Sequence, residues 1–236
     1  AKRLKLRGIE EPRVHIVDID GVPALAIPTE QARVLLDPVA AGDPECELST
    51  KPMNYYRPNQ RDFSPQNAKA MAQCSLLAYQ PPETVEAYAK AWGFDETIFI
   101  DDHQTDAQAF VSYDEANHAV IVSFRGSNSV KDFWLDADAK LIDGQRFGGG
   151  MVHRGFAKQL DAIAERIDDA IAQFDGPSGK PRLLLTGHSL GGSLAVLYAG
   201  MLLKRGRDVE TVYTFGQPAV GDEEFGGQFD AQLDRT

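Results

Sequence analysis

Cysteine is scarce: Cys46 and Cys74 are the two in 236 residues. Their spacing matches neither a metal-ligand motif nor a redox pair, and two thiols do not make a disulfide framework. Two buried or idle thiols are the expectation. No apolar run approaches the roughly 20 residues of a membrane-spanning helix. Positive charge is also short, with 24 Lys and Arg against 35 Asp and Glu and a net charge of -11. Such a surface repels phosphate backbones, which argues against a nucleic-acid partner, and it repels anionic membranes outside any local patch. The basic start, Ala1-Lys2-Arg3-Leu4-Lys5-Leu6-Arg7, leads into no apolar segment, so no secretory signal is read there. The lack of an initiator Met suggests a trimmed start, and cytoplasm is the default compartment. Histidine is sparse too, and none of His15, His103, His118, His153 and His188 lies beyond residue 188.

What is present is a chain of 43% hydrophobic residues, enough for a sizeable core in one main domain. Arg13 to Ile19 and Val22 to Ile27 are β-rich runs around Asp20-Gly21, which predicts a small hairpin. It lies in a turn-rich extension, 1–60, of which Pro38 to Pro58 reads as irregular surface chain. The organised domain is drawn over 61–236. Ser64 and Pro65 cap and open a predicted helix through Tyr79. A second helix spans Pro82 to Trp92 and stops near Gly93. Ala107 to Tyr113 and Ala119 to Phe124 read as antiparallel strands. Phe156, Leu160, Ile163, Ile167, Ile171 and Phe174 recur at helical spacing over 155–174. Strand Arg182 to Thr186, helix Leu190 to Lys204 and strand Val209 to Phe215 then alternate. That alternation predicts an α/β fold with a mostly parallel sheet covered by helices on both faces.

The chemistry sits where Leu183-Leu184-Leu185-Thr186 runs into Gly187-His188-Ser189-Leu190-Gly191-Gly192 and a helix starts at once. This is G-x-S-x-G in the context of strand, sharp turn and helix. Side chains at Gly187 or Gly191 would collide with the neighbouring strand and helix, and the turn lifts the Ser189 hydroxyl clear of the sheet. Ser189 is the candidate nucleophile. The Leu190 amide, free at the helix start, is a candidate oxyanion donor. The bland alternative is a glycine-rich turn with an incidental serine. Phe124-Arg125-Gly126-Ser127 follows a strand, and Ser127 can offer a second donor. Phe133, Trp134 and Leu135 form an apolar block flanked by charge. They fit either a lid over the site that meets lipid or an ordinary surface helix packing its aromatics inward. His153 at a helix start reads as a structural hydrogen-bonder, and His188 as a residue that packs or orients.

Together, Phe124 to Ser127, Val152 to Phe156, Thr186 to Gly192 and Thr214 to Asp222 resemble the class 3 lipase family, in order and in spacing, from about residue 64 onward. The resemblance implies an α/β-hydrolase fold, no cofactor and no metal, and hydrolysis of acylglycerols or related carboxylic esters. By position it implies Ser189 as nucleophile, Ser127 and Leu190 as the oxyanion hole, and a lid over 128–140 that makes transient contact with a lipid interface. Ala219 stands where the family usually carries a basic residue, with little consequence expected. The first 60 residues carry no such resemblance.

One departure matters. In this fold a serine is activated by a His oriented by a carboxylate, in the order Ser, Asp or Glu, His. No His follows Ser189, so the acid and base of the triad are expected beyond Thr236, in a chain read as truncated at its C-terminus. Asp222 is the tempting acid, but its place before a helix suits an N-cap. Three readings stay open beside the acylglycerol hydrolase: a phospholipase A1 or feruloyl-type esterase, a non-catalytic pseudo-hydrolase, and an enzyme using His153 or His103 as an unconventional base.

Overall fold

The structure is a computed structural model that describes residues 15–19, 22–26, 48–61, 63–127, 140–177 and 179–233. The chain divides into two units, Ala1–Cys46 and Glu47–Thr236. In the first, β1 (His15–Ile19) pairs antiparallel with β2 (Val22–Ala26), Ile19 opposite Val22. That is the expected hairpin.

The second unit begins earlier than residue 61. Residues 48–58 are irregular as expected, yet Met53 and Tyr56 are buried and not surface chain. Met53 N–H donates to the Trp92 carbonyl at 3.2 Å, which ties this stretch to the helices that follow. Those helices are α1 (Pro65–Leu77) and α2 (Pro82–Trp92). Ser64 Oγ caps α1 by accepting from Asn67 N–H, and Gly93 ends α2 at φ 104, a left-handed value open to glycine.

The central sheet holds β3 (Glu96–Asp102), β4 (Ala107–Asp114), β5 (Ala119–Phe124), β8 (Arg182–His188) and β9 (Thr211–Phe215), adjacent in that order. A separate ribbon pairs β6 (Leu141–Asp143) with β7 (Met151–His153). The remaining helices are α3 (Arg154–Ala172), α4 (Leu190–Lys204) and α5 (Glu223–Leu233). β5–β8 and β8–β9 are parallel, whereas β3–β4 and β4–β5 are antiparallel. The described sheet is therefore mixed rather than mostly parallel. The reason is connection length: residues 103–106 and 115–118 are tight turns, too short for a crossover. Carboxylates hold both turns, Asp102 accepting from Thr105 N–H at 2.8 Å and Asp114 from Asn117 N–H at 3.0 Å. β3 and the β6–β7 ribbon were not foreseen in the sequence.

Both faces of the sheet are covered. Val120, Val122, Phe124, Leu183 and Leu185 join one core with α3 and α4. Ile121 and Leu184 join the other with Met71, Cys74 and Leu77 of α1. Alternate side chains of one strand enter opposite cores, so β5 is buried at every residue. Cys74 lies in the second core, and burial pushes its thiol well above the ordinary range; Cys46 lies outside the described residues.

Candidate active site

The site grows from the register of β5 and β8. These strands run parallel with Phe124 opposite Gly187. The segments that leave them, 125–127 and 189–190, therefore emerge at the same end of the sheet, which brings Ser127 and Ser189 to that end.

Ser189 sits between β8 and α4 at φ 53 and ψ -127. Few non-glycine residues take such a value, because Cβ crowds the following carbonyl. The turn is held on several sides. Ser189 N–H donates to the Phe215 carbonyl at the end of β9, 2.8 Å away, and Gly192 N–H donates to the Ser189 carbonyl at 3.0 Å. A Cβ on Gly187 would strike the Gly191 carbonyl, and one on Gly191 would strike the Phe124 carbonyl. The collisions expected from the motif are present. Among the described residues Ser189 Oγ has no hydrogen-bond partner, and the Leu190 N–H at the head of α4 meets no acceptor.

Beneath this turn lies a group that the sequence did not announce. Tyr79, two residues past α1, places its hydroxyl 2.9 Å from His188 Nδ1. A Cβ on Gly126 would strike that hydroxyl and would also approach the His188 carbonyl to 2.5 Å. The loop carrying Ser127 thus rests on Tyr79 and on the residue before Ser189. Burial pushes the Tyr79 phenol up to about 12, against the opposing pull of the Arg125 guanidinium and the Gly126 amide. Burial also holds the His188 imidazole below its ordinary value. The His188 ring packs beneath the turn against the Tyr79 ring. Arg125 donates from Nη2 to the Asp106 carbonyl at 3.0 Å and pairs with the Asp106 carboxylate.

The other histidines serve elsewhere. His153 caps α3, Nδ1 accepting from Gly155 N–H at 3.1 Å and Phe156 N–H at 3.4 Å, as a structural role requires. His118 bridges Tyr113 and Gly179 beside the opposite end of β8. His103 is exposed beside Asp101, and His15 belongs to the N-terminal hairpin. Asp222 accepts from Met151 N–H at 3.1 Å and Phe225 N–H at 2.8 Å, which makes it the cap of α5. Those amides hold its carboxyl below the usual range. Phe133, Trp134 and Leu135 lie outside the described residues.

A sharp serine-bearing turn between a parallel strand and a helix, with helices on both faces of the sheet, is the arrangement of the α/β-hydrolase fold. The solved Rhizomucor miehei lipase–propeptide complex shares that architecture, with a TM-score of 0.59 at 25% identity over 72% of this chain and 59% of that one. Residues 121–236 match the family model described as Lipase (class 3). Among its relatives, the secreted mono- and diacylglycerol lipase 1 of Fusarium solani is 31% identical over 52% of this chain and 36% of its own length. A lipase of Rhizomucor miehei is 34% identical over 51% of this chain and 34% of its own length. The chain thus spans about a third of the length of these curated relatives. The Fusarium relative is named as secreted, so the cytoplasmic default finds no support. No helix among the described residues is long and apolar enough to cross a membrane.

Proposed function

We propose that this chain carries the nucleophile and oxyanion hole of a secreted serine ester hydrolase acting on acylglycerols or similar lipid esters. The observation that carries the reading is the backbone of Ser189, held at φ 53 between β8 and α4 with its hydroxyl unengaged among the described residues. A strained turn is maintained where it serves chemistry. The substrate class follows relatives named as mono- and diacylglycerol lipases.

In this mechanism Ser189 Oγ attacks the ester carbonyl as its proton passes to a histidine. That histidine and its orienting Asp are assigned to positions downstream of Thr236, in the chain order of the fold. The carbonyl oxygen becomes an oxyanion, held by Leu190 N–H and by Ser127 through its amide and hydroxyl. Collapse breaks the bond to the alcohol, which leaves with the proton from the histidine. Water, deprotonated by the same histidine, then cleaves the acyl-enzyme and releases the fatty acid. Phe133, Trp134 and Leu135 are assigned to the lid that meets lipid.

The test is hydrolysis of emulsified diacylglycerol, phospholipid and feruloyl esters by the full-length protein, with and without Ser189→Ala. We expect Ser189-dependent turnover that is highest on the acylglycerol. Turnover unchanged by the substitution, or no labelling of Ser189 by a fluorophosphonate, refutes the assignment.

A further inference from the structure

Oxyanion donors stabilise a transition state only when they lie about 2.7–3.1 Å from the developing charge. In the proposed site those donors come from two separate segments. Ser127 follows β5, and Leu190 follows β8. Strand pairing fixes their relation as far as Phe124 and Gly187, and no further. Past that point the two segments need another constraint, and one side chain touches both. The Tyr79 hydroxyl packs against Gly126 on one side and lies 2.9 Å from His188 Nδ1 on the other.

We propose that Tyr79 is a positioning residue of this site, whose phenol sets the spacing between the oxyanion-donor loop and the nucleophile turn. The proposal rests on the reading of Ser189, Ser127 and Leu190 given above. Its chemistry has a definite polarity. The phenol has one proton and stays protonated at neutral pH, since burial raises it to about 12. Its oxygen faces the Gly126 amide, which can only donate. The phenol proton is therefore directed to His188, which accepts at Nδ1 and carries its own hydrogen on Nε2. His188, directly before Ser189, is fixed in one tautomer and ring orientation. Loss of the hydroxyl frees both the Gly126 loop and the His188 ring while leaving the hydrophobic body of residue 79 in place.

The experiment is steady-state kinetics of the full-length protein on a soluble p-nitrophenyl ester, comparing wild type, Tyr79→Phe, Tyr198→Phe and Ser189→Ala. Tyr198 of α4 is the control: its hydroxyl is another buried phenol, donating at 2.7 Å to Asp168 of α3. We expect Tyr79→Phe to lower kcat by about tenfold or more with KM within about twofold, the pattern of an interaction made in the transition state. Tyr198→Phe is expected to leave both within about twofold. Nitrogen-15 NMR of the wild-type His188 ring is expected to show the Nε2–H tautomer, a readout independent of any variant's folding. Ser189-dependent activity with kcat of Tyr79→Phe within about twofold of wild type overturns the proposal alone. An Nδ1–H tautomer also overturns it alone. Activity that survives Ser189→Ala overturns the reading of the site and this proposal with it.

Discussion

Ser189 holds a backbone conformation that costs a serine about 1–2 kcal/mol and costs glycine little. The strain has a measurable sign. Replacing Ser189 by Gly is expected to leave the protein about 1 kcal/mol more stable in urea than replacing it by Ala, since both remove the hydroxyl and only glycine relieves φ 53. Equal stabilities would show that the turn is unstrained. Gly191 is under the opposite constraint, because a Cβ there meets the Phe124 carbonyl and not a side chain that can move aside. Gly191→Ala is expected to shift β5 against α4 and abolish fluorophosphonate labelling of the full-length protein. Labelling at the wild-type rate would refute the tight approach.

Helix α3 begins on an imidazole. His153 Nδ1 can cap the first turn only while unprotonated, and burial already holds that ring below its ordinary value of 6.5. The sign follows from linkage: the unfolded chain binds the proton at higher pH than the folded one, so stability falls as pH drops below about 6.5. His153→Asn keeps a capping oxygen and removes the titration. Thermal melts between pH 8 and pH 5 are expected to show a shallower acid loss in the variant than in the wild type. A slope unchanged by the substitution would place the acid sensitivity elsewhere. His153→Ala, which has no cap at all, is expected to cost on the order of 1 kcal/mol at pH 8.

At the scale of the molecule the sheet separates two cores, and their energetics should be separable. Leu160 of α3 belongs to one core and Leu184 of β8 to the other, both fully buried. Each substitution to Ala is expected to cost about 2–5 kcal/mol by lost burial and cavity formation. Because they share no core, the double variant should lose the sum to within about 0.5 kcal/mol in denaturant titrations. A coupling well beyond that would mean the sheet transmits strain between its faces. The α1 side is also pinned by hydroxyls, with Ser75 Oγ 2.8 Å from Thr186 Oγ1 and Ser123 Oγ donating to the Cys74 carbonyl at 3.0 Å. These contacts fix α1, and hence Tyr79, over the strand that delivers Ser189.

Several features were legible in the residues alone because each rests on a local rule. Ser64, Pro65 and Gly93 mark helix ends by capping chemistry, the periodicity from Phe156 to Phe174 marks α3, and Gly187 to Gly192 mark a turn that only glycines allow around Ser189. The mixed character of the sheet was half legible: the β4–β5 pair was readable from its turn, but β3 shows no burial pattern of its own and is stabilised by its pairing with β4. Tyr79 was not legible at all. No sequence rule relates a residue just past α1 to His188, 109 positions away. The sequence determined where the serine stands and which backbone it must adopt, since strand, glycines and helix are written within ten residues. Only the tertiary structure decided what surrounds it, because the parallel register of β5 and β8 and the packing of α1 across them are long-range contacts whose partners no local pattern names.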